Sequence, residues 1–472
     1  MKKIVILLFL GGCTMHPKYE RPEIQEEMAW RTPLATENAA DVDWWKQFND
    51  PVLDRFIDQT LASNQDLKAA IARVDEFQAK LVMARSQLYP QLSGDALASR
   101  QKISTSVTAL PPGIQQVFNL FGTLFNASYL VDLWGEVRSG AESAYHEWLS
   151  AIEARRMAVL GLVSAAASTY FQLRQYDMQL KISNETLVSR KQSLYLAQIR
   201  FDLGLTSLLE VEQAITEVQA AAVEIETLSI AQAEAENLLC FLIGSPSKGL
   251  PRGLNLDEAR TPPSIPATLP SDLLTQRPDI RAMEERLIAA NANIGVARAK
   301  FFPQIHLNGA LGTEATQMNQ LFKNSSKIWE LGSDLMQPIF TGFALTGNLE
   351  LTLAQKKELL HLYLSTILKA VEEVNDSLTA HKIYLEQVET ERIRVEAQKK
   401  YLLLSDLRYK EGEIDYLTFL DAERELFRGQ LDFEQAKANS FLSYVQIYQA
   451  LGGGWVIAAD EQALSPQESV QR

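Results

Sequence analysis

The feature that most constrains the fold of this chain is a stretch of sequence that occurs twice. Residues 84–99 read ARSQLYPQLSGDALAS, and residues 297–312 read ARAKFFPQIHLNGALG. Further along, RFDLGLTSLLEV from Arg200 parallels RYKEGEIDYLTF from Arg408, 208 positions later. Solenoid repeats are roughly 20 to 50 residues long, so a repeat of this size indicates two large, pseudo-equivalent halves.

Each copy of the repeat predicts a helix that passes into a strand. A helical pattern runs into Pro90 in the first copy and into Pro303 in the second, and proline does not normally continue a helix. The residues that follow alternate apolar side chains with polar or small ones, which is the period of a strand. We expect short helices over residues 66–89 and 278–302, and strands at about 91–107, 118–133, 304–320 and 326–340.

A long helix is predicted after the first pair of strands. The segment from Glu136 to Leu203 contains no proline, and large apolar residues recur in it every seven positions from Leu173, which is coiled-coil spacing. Gly204 is a helix-stop signal, and Ser207 with Glu210 forms a capping-box pattern that begins a returning helix. We therefore expect a tight tip near residue 204 between two antiparallel helices.

The second half repeats this plan, with a long helix over residues 343–410, a tip near Gly412 and a returning helix over 415–451. At ~1.5 Å per residue a long helix would span about 100 Å. A short helix stacked on a returning helix has about the same length. Each half is thus predicted to form a helical rod with a hairpin tip at one end and two strands at the other.

The predicted strand over residues 118–133 has two different faces. Phe121, Phe125 and Tyr129 lie on one face, and most of the side chains on the other face are polar or small. This pattern suits a membrane strand with lipid outside and water inside, but a half-buried strand of a soluble sheet alternates in the same way. Four strands cannot close a barrel and an open edge is not tolerated in hydrocarbon, so a membrane barrel would require several chains to combine their strands.

The N-terminus has the pattern of a bacterial lipoprotein signal. Lys2 and Lys3 precede an apolar run that ends in Leu10-Gly11-Gly12-Cys13, a short signal-peptide pattern. Cleavage before Cys13 would leave its thiol carrying covalent lipid, and Thr14 after it favours the outer membrane as destination. An ordinary signal peptide and an uncleaved segment remain alternatives.

The composition argues against several classes of function. The net charge of −14 disfavours a nucleic-acid partner. The five histidines and two cysteines show no metal-ligand spacing, and no nucleophile motif or phosphate-binding loop occurs. We therefore predict that the chain is not an enzyme and holds no cofactor apart from the lipid on Cys13. We expect Cys240 to be a small buried apolar residue.

Together these patterns predict a mainly α fold with a membrane β-barrel. The expected divisions are a signal peptide over residues 1–12, a lipid-anchored tether over 13–50, a first repeat over 51–244, a second repeat over 245–452 and a C-terminal tail over 453–472.

Several short motifs add a family resemblance to this layout. They are Pro17 to Pro22 (PKYERP), Trp44-Trp45 with Phe48 and Asp50-Pro51, Leu269 to Ile280 (LPSDLLTQRPDI) and Ala289 to Ile305 (AANANIGVARAKFFPQI). With them the chain resembles the TolC-like outer membrane factor family, and within it the lipoprotein branch that serves resistance-nodulation-division pumps. The resemblance implies a homotrimer in the cell outer membrane, in which each protomer contributes four strands to one β-barrel and its helices to one periplasmic tunnel.

The resemblance also implies partners and sites. The partners are a periplasmic adaptor protein, an inner-membrane pump and outer-membrane lipid, and the function is drug efflux. The first tip, with Gly204, Leu205 and Thr206, matches the family motif to which adaptor hairpins bind. The second tip, Gly412, Glu413 and Ile414, departs from that motif in two residues, which leaves open whether the two docking grooves are equivalent. Four residues match positions that narrow the periplasmic entrance: Tyr416, Leu417, Asp421 and Arg424.

A physical argument supports a gate at Asp421. Three Asp421 carboxylates around one axis would repel each other by roughly 3 kcal/mol per pair at ~6 Å and an effective dielectric near 20. Arg424, three residues later, can compensate that repulsion. We hypothesise that these two residues hold the resting entrance shut, although an isolated Asp on an acidic helix can also belong to a solvated face.

Two other transport functions and one of a different class remain open. The chain could serve a type I protein secretion system or a metal-efflux pump, because the pump is not specified by the conduit. It could also be a periplasmic coiled-coil scaffold without a pore, but this leaves the alternating strands unexplained.

Overall fold

The computed structural model describes residues 14–22, 43–104, 116–258 and 273–468. The predicted signal peptide and Cys13 lie outside these residues. Two units are present: unit 1 comprises residues 1–24, 73–151 and 282–364, and unit 2 comprises residues 25–72, 152–281 and 365–472.

The described residues form nine α-helices and four strands, which confirms the predicted mainly α fold with four strands. The helices are α1 (Pro51–Ser63), α2 (Gln65–Ser86), α3 (Glu136–Asp202), α4 (Leu208–Leu242), α5 (Leu273–Gln276), α6 (Pro278–Ala299), α7 (Ala344–Glu411), α8 (Tyr416–Leu451) and α9 (Trp455–Glu468). The strands are β1 (Gln91–Lys102), β2 (Val117–Val131), β3 (Gln304–Ala315) and β4 (Lys327–Met336).

The passage from helix to strand has the same geometry in both repeats. Helices α2 and α6 end earlier than predicted, and each is followed by a turn that leads to the proline. In the first repeat Leu88 N–H bonds to Arg85 O at 3.0 Å, and in the second Phe301 N–H bonds to Arg298 O at 3.1 Å. Because the residue before a proline disfavours the α conformation, the helix is released before the proline is reached.

The strands of the second repeat are shorter than predicted. Strand β3 ends at Ala315, and short 3₁₀ turns at Met318–Gln320 and Asn324–Ser326 replace the strand ends expected there. Strand β4 ends at Met336, because Pro338 cannot donate a ladder hydrogen bond.

Unit 1 contains an antiparallel sheet in the order β1-β2-β3-β4. Its register places Phe125, Leu311 and Trp329 in one row across three strands. Large apolar side chains on this face are exposed in the single chain, with Trp329 77% and Leu331 81% accessible. Burying such surface is favourable by roughly 25 cal/mol per Å², so this face requires an apolar environment.

The opposite face of the sheet carries most of its polar side chains. Asn126 Nδ2 donates to Asp95 across β1 and β2, and Asn308 Nδ2 donates to Asp334 across β3 and β4, each at 2.6 Å. Strands β1 and β4 form the two edges of the sheet. The sheet therefore has an apolar face, a hydrogen-bonded polar face and two edges that a second chain can extend.

Residues 14–22 lie against α6, which carries most of the run Ala289 to Ile305 (AANANIGVARAKFFPQI). Asn291 donates to the carbonyl of Pro17 at 2.6 Å, and Arg298 donates to the carbonyl of Met15 at 3.2 Å. Arg21 contacts both carboxylate oxygens of Glu284. The polar side chains of this run therefore hold the start of the tether beside the end of α6, just before β3.

An aromatic core in unit 2 explains the Trp44-Trp45 motif. Both indoles are buried, and the Trp44 ring stacks on Tyr448 with 5.1 Å between ring centroids. Asp50 caps α1 by accepting from Val52 N–H at 3.0 Å, and it also accepts from the Tyr170 hydroxyl and from Leu254 N–H. Cys240 is a free, buried thiol in the same core, as predicted.

Arg277 explains the Arg-Pro-Asp part of the Leu269 to Ile280 motif; residues 269–272 lie outside the described residues. The Arg277 guanidinium is buried, donates to the carbonyl of Ala450 near the end of α8 at 2.6 Å, and pairs with Asp279 and Glu373. A cation near a helix C-terminus also interacts favourably with the helix dipole. Arg277 thus joins α6, α7 and α8 within unit 2.

Candidate functional site

The two predicted tips lie in unit 2 and have the same backbone geometry. Gly204 and Gly412 have φ angles of +72° and +77°. Leu205 N–H bonds to Arg200 O at 2.8 Å, and Glu413 N–H bonds to Arg408 O at 2.9 Å. This pattern is a Schellman motif, in which glycine adopts the left-handed conformation without a steric penalty.

The side chains at the two tips differ. The first tip exposes four leucines around Gly204: Leu203, Leu205, Leu208 and Leu209. The second tip is charged, because Oε2 of Glu413 lies 3.7 Å from Nε of Arg408. The third residue of this tip, Ile414, is half-buried. The two tips therefore have equivalent backbones, but the first presents apolar side chains to a partner and the second presents charged ones.

The two helices that follow the tips begin differently, and the predicted capping box at the start of α4 is wrong. Asp415 caps α8 by accepting from Thr418 N–H at 3.0 Å. Ser207 makes no side-chain cap bond to α4, so the predicted capping box with Glu210 is not formed. Glu210 instead accepts a hydrogen bond from the hydroxyl of Tyr409 on α7 at 3.1 Å.

Tyr409 joins the two tips, a contact that the sequence did not indicate. Its hydroxyl accepts a hydrogen bond from Arg200 Nη1 at 2.7 Å and donates one to Glu210. Its ring stacks on the ring of Phe419, with 5.5 Å between the ring centroids. Burial, reinforced by the Glu210 carboxylate, raises the pKa of Tyr409 to about 12. The phenol therefore keeps its proton and can continue to donate to Glu210.

The four predicted entrance residues have different environments. Tyr416 is only 6% exposed and packs with Val211 and Leu420 in an apolar cluster near the tips. In this conformation it cannot line an entrance. Leu417 is 52% exposed, and Asp421 is also exposed. Among these three residues, Leu417 and Asp421 are the ones available to narrow a passage.

Arg424 has a partner other than the one expected. Its Nε and Nη2 atoms lie 2.7 and 2.5 Å from Oε1 of Glu217 on α4. Asp421 contributes only a longer-range attraction to Arg424. The expected compensation between Asp421 and Arg424 is therefore not a direct ion pair within the chain, because the guanidinium is already bound to Glu217.

Glu217 connects three helices. Its Oε2 atom lies 3.1 Å from Nη2 of the buried Arg190 on α3, and its backbone carbonyl accepts from Arg190 Nη1 at 2.8 Å. The adjacent Glu423 is buried, and this burial raises its pKa despite the attraction of Arg190. Helices α3, α4 and α8 are thus held by one charge cluster, composed of Arg190, Glu217, Glu423 and Arg424.

Comparison with known proteins decides the family. A sequence model described as outer membrane efflux protein matches residues 56–245 and 269–453. The chain belongs to the outer membrane efflux protein family. This confirms the predicted resemblance to outer membrane efflux proteins and the predicted efflux component of the outer membrane, and the family is one of transport components.

Relatives in the outer membrane efflux protein family match the chain over nearly its whole length. Two from Pseudomonas putida, the antibiotic efflux pump outer membrane protein ArpC and the toluene efflux pump outer membrane protein TtgC, are each 35% identical to it over 463 residues, covering 96% of this chain and 94% of the relative. The crystal structure of the Campylobacter jejuni CmeC outer membrane channel is similar with a TM-score of 0.87 at 26% identity, covering 96% of this chain and 98% of that one.

Two observations complete the description of this outer membrane efflux protein. Within the described ranges, no helix combines the length and the apolar character that crossing a membrane requires. In the same part of the chain, no group of three or more His, Cys, Asp or Glu side chains is arranged to hold a metal ion.

Proposed function

We propose that the chain is the trimeric outer-membrane channel of a tripartite pump that expels small molecules, including drugs, from the periplasm. The observation that carries this proposal is the unit 1 sheet, with its exposed apolar face, its hydrogen-bonded polar face and its two edges. The two Pseudomonas putida relatives belong to antibiotic and toluene efflux pumps, which supports small molecules over secreted proteins or metal ions as the cargo.

The need for more than one copy follows from how a sheet can exist in a bilayer, and the number three is the one that the family resemblance implies. A sheet with open edges leaves backbone groups unsatisfied in hydrocarbon at a cost of several kcal/mol each. Antiparallel edges β1 and β4 of neighbouring copies can pair and close a barrel with the Trp329 face toward lipid and the Asp95 face toward water. Outer-membrane barrels have at least eight strands, so one chain is insufficient.

The tips supply the docking surface for the periplasmic adaptor in this proposal. The exposed leucines around Gly204 form an apolar surface at the end of a hairpin, and such a surface is typical of an interaction site. The charged second tip, Gly412 to Ile414, would contact the adaptor through different chemistry. The adaptor in turn connects the channel to an inner-membrane pump.

Lipid on Cys13 would anchor the protomer close to the barrel. The tether residue Met15 is bound by Arg298, which lies shortly before β3. A lipid two residues before Met15 would therefore reach the membrane beside the strands. Several acyl chains bind a bilayer far more stably than one.

Deletion of the gene for this chain tests the proposed function. We expect the deletion strain to accumulate ethidium and to become sensitive to toluene, and we expect expression of the full chain to reverse both changes. Secretion of protein substrates and tolerance to copper and silver serve as controls for the alternative cargos. Normal ethidium efflux in the deletion strain, with a loss of protein secretion or metal tolerance, would overturn the proposal.

A further inference from the structure

The Asp, Glu, Lys and Arg residues of the four strands are divided by sign between the two faces of the sheet. Successive side chains of a strand point to opposite faces, so the register assigns each residue to a face. All the carboxylates lie on the polar face: Asp95, Glu314, Glu330 and Asp334. All the Lys and Arg side chains lie on the apolar face: Arg100, Lys102 and Lys327.

The three cations lie at one end of the apolar face. Strand β1 runs away from α2, so Arg100 and Lys102 are at its far end, and β4 begins with Lys327 and runs back toward α7. Leu335, near the other end of β4 on the same face, is apolar. At ~3.3 Å per residue, Lys327 lies about 26 Å along β4 from Leu335. This is close to the height of about 25 Å of the apolar band of an outer-membrane barrel.

No carboxylate of the chain neutralises these cations within the part that the structure describes. Arg100, Lys102 and Lys327 are exposed, and none of them forms an ion pair with a described residue. The two segments that connect the strands at this end, residues 103–116 and 316–326, contain no Asp or Glu in their sequence. Charges beside hydrocarbon interact more strongly than charges in water, so an anion supplied from outside the chain would be bound favourably.

The cations are confined to the two edge strands. Arg100 and Lys102 belong to β1 and Lys327 belongs to β4, whereas β2 and β3 contain no Lys or Arg. In the barrel proposed above, β1 of one copy pairs with β4 of the next, and paired strands are about 4.8 Å apart. Each junction between copies would therefore combine cations from two chains at the same rim of the apolar band.

We propose that each of these junctions binds the phosphate groups of a lipid in the outer leaflet, an inference that rests on the proposed function. With the helices in the periplasm, the far ends of the strands lie at the outer side of the membrane. Arg100 can bind two phosphate oxygens at once, and Lys102 and the neighbouring copy's Lys327 add two positive charges. The acyl chains would cover Trp329 and Leu331, which continue the apolar face next to the cations. A soluble anion would leave that surface uncovered, so the occupant is a lipid.

Native mass spectrometry of the full chain in detergent tests this proposal, with diphosphoryl lipid A as the probe. Monophosphoryl lipid A with the same acyl chains is the matched control, because it lacks one phosphate. We expect up to three probe molecules on each particle of three copies, and severalfold weaker binding of the control. Inorganic phosphate at the same concentration should not displace the probe. Equal binding of the two lipids, or displacement by inorganic phosphate, would overturn the proposal.

Variants locate the binding at the junctions. We expect Arg100→Gln and Lys327→Gln each to weaken binding of diphosphoryl lipid A roughly fivefold, which corresponds to about 1 kcal/mol for each basic residue. Lys357→Gln removes an exposed lysine on α7, outside the sheet, and should leave the affinity unchanged. An equal loss in all three variants would show a general charge effect and would overturn the proposal.

The same spectra separate this inference from the proposed function. Particles of three copies that bind both lipids alike would overturn the lipid site and leave the channel intact. If the parent forms no particles of three copies, the proposed function fails and the lipid site fails with it. The substituted side chains are exposed, so we expect the variants to assemble like the parent, and the mass of the particles verifies this.

Discussion

Arg424→Ala is expected to raise the single-channel conductance of the purified protein in planar bilayers severalfold above that of the parent. In the structure Arg424 ties α8 to Glu217 on α4, so any opening that moves α8 away from α4 must break this pair. A hydrogen-bonded ion pair that is partly exposed contributes about 1 to 2 kcal/mol. Losing it changes a two-state equilibrium by a factor of roughly 5 to 30.

Two further variants extend the test to the other contacts of the entrance. Tyr409→Phe removes the hydroxyl that joins Arg200 to Glu210 but keeps the ring that stacks on Phe419, so we expect it to raise conductance in the same direction. Asp421→Ala shortens an exposed side chain at the expected constriction and should also raise it.

The matched control for the gate is Arg428→Ala, which removes an arginine one turn further along α8. We expect it to conduct like the parent. If Arg424→Ala, Tyr409→Phe and Asp421→Ala all conduct no better than Arg428→Ala, the gate lies elsewhere in the protein.

Gly204→Asp is expected to abolish drug efflux in cells while the protein still assembles. A Cβ atom at this position would meet nothing within 4 Å, so the substitution creates no clash inside the chain. The φ of +72° costs an L-residue roughly 1 to 2 kcal/mol, and Asp is among the residues that tolerate it best. The new carboxylate would lie among exposed leucines, where an apolar partner surface cannot solvate it.

Ethidium efflux and the amount of assembled protein in the membrane measure this effect. Gly204→Asn is the matched control, because Asn tolerates the same φ and has nearly the same shape without the charge. We expect Gly204→Asn to retain most of the efflux. Normal efflux in Gly204→Asp would exclude the first tip as the docking surface, and equal loss in both variants would exclude the charge as the cause.

The repeat and the periodicity predict most of the fold. Alternation after Pro90 and Pro303 locates the strands, and Gly204 and Gly412 locate the tips, because these features depend on local chemistry. Strand ends are less predictable from the sequence. Strand β3 stops at Ala315, although the polar residues that follow it could occupy positions in a longer strand.

The entrance could be predicted only in part, because its decisive contacts join residues that are distant in sequence. Arg424 and Glu217 are 207 positions apart, and their pairing depends on how α8 packs against α4. The sequence around Arg424 does not identify this partner. The burial of Tyr416 also depends on helix packing, so a motif match assigns this residue to the entrance although it is buried. The place of Tyr409 in the repeat does not predict its hydrogen bonds to Arg200 and Glu210.

We propose that one chain supplies only part of a barrel and that several copies enclose the channel. Native mass spectrometry of the full-length protein released from detergent micelles tests it most directly. We expect particles that contain three copies of the chain, which separate into single chains only when the protein is denatured. Particles that contain a single folded chain would contradict it.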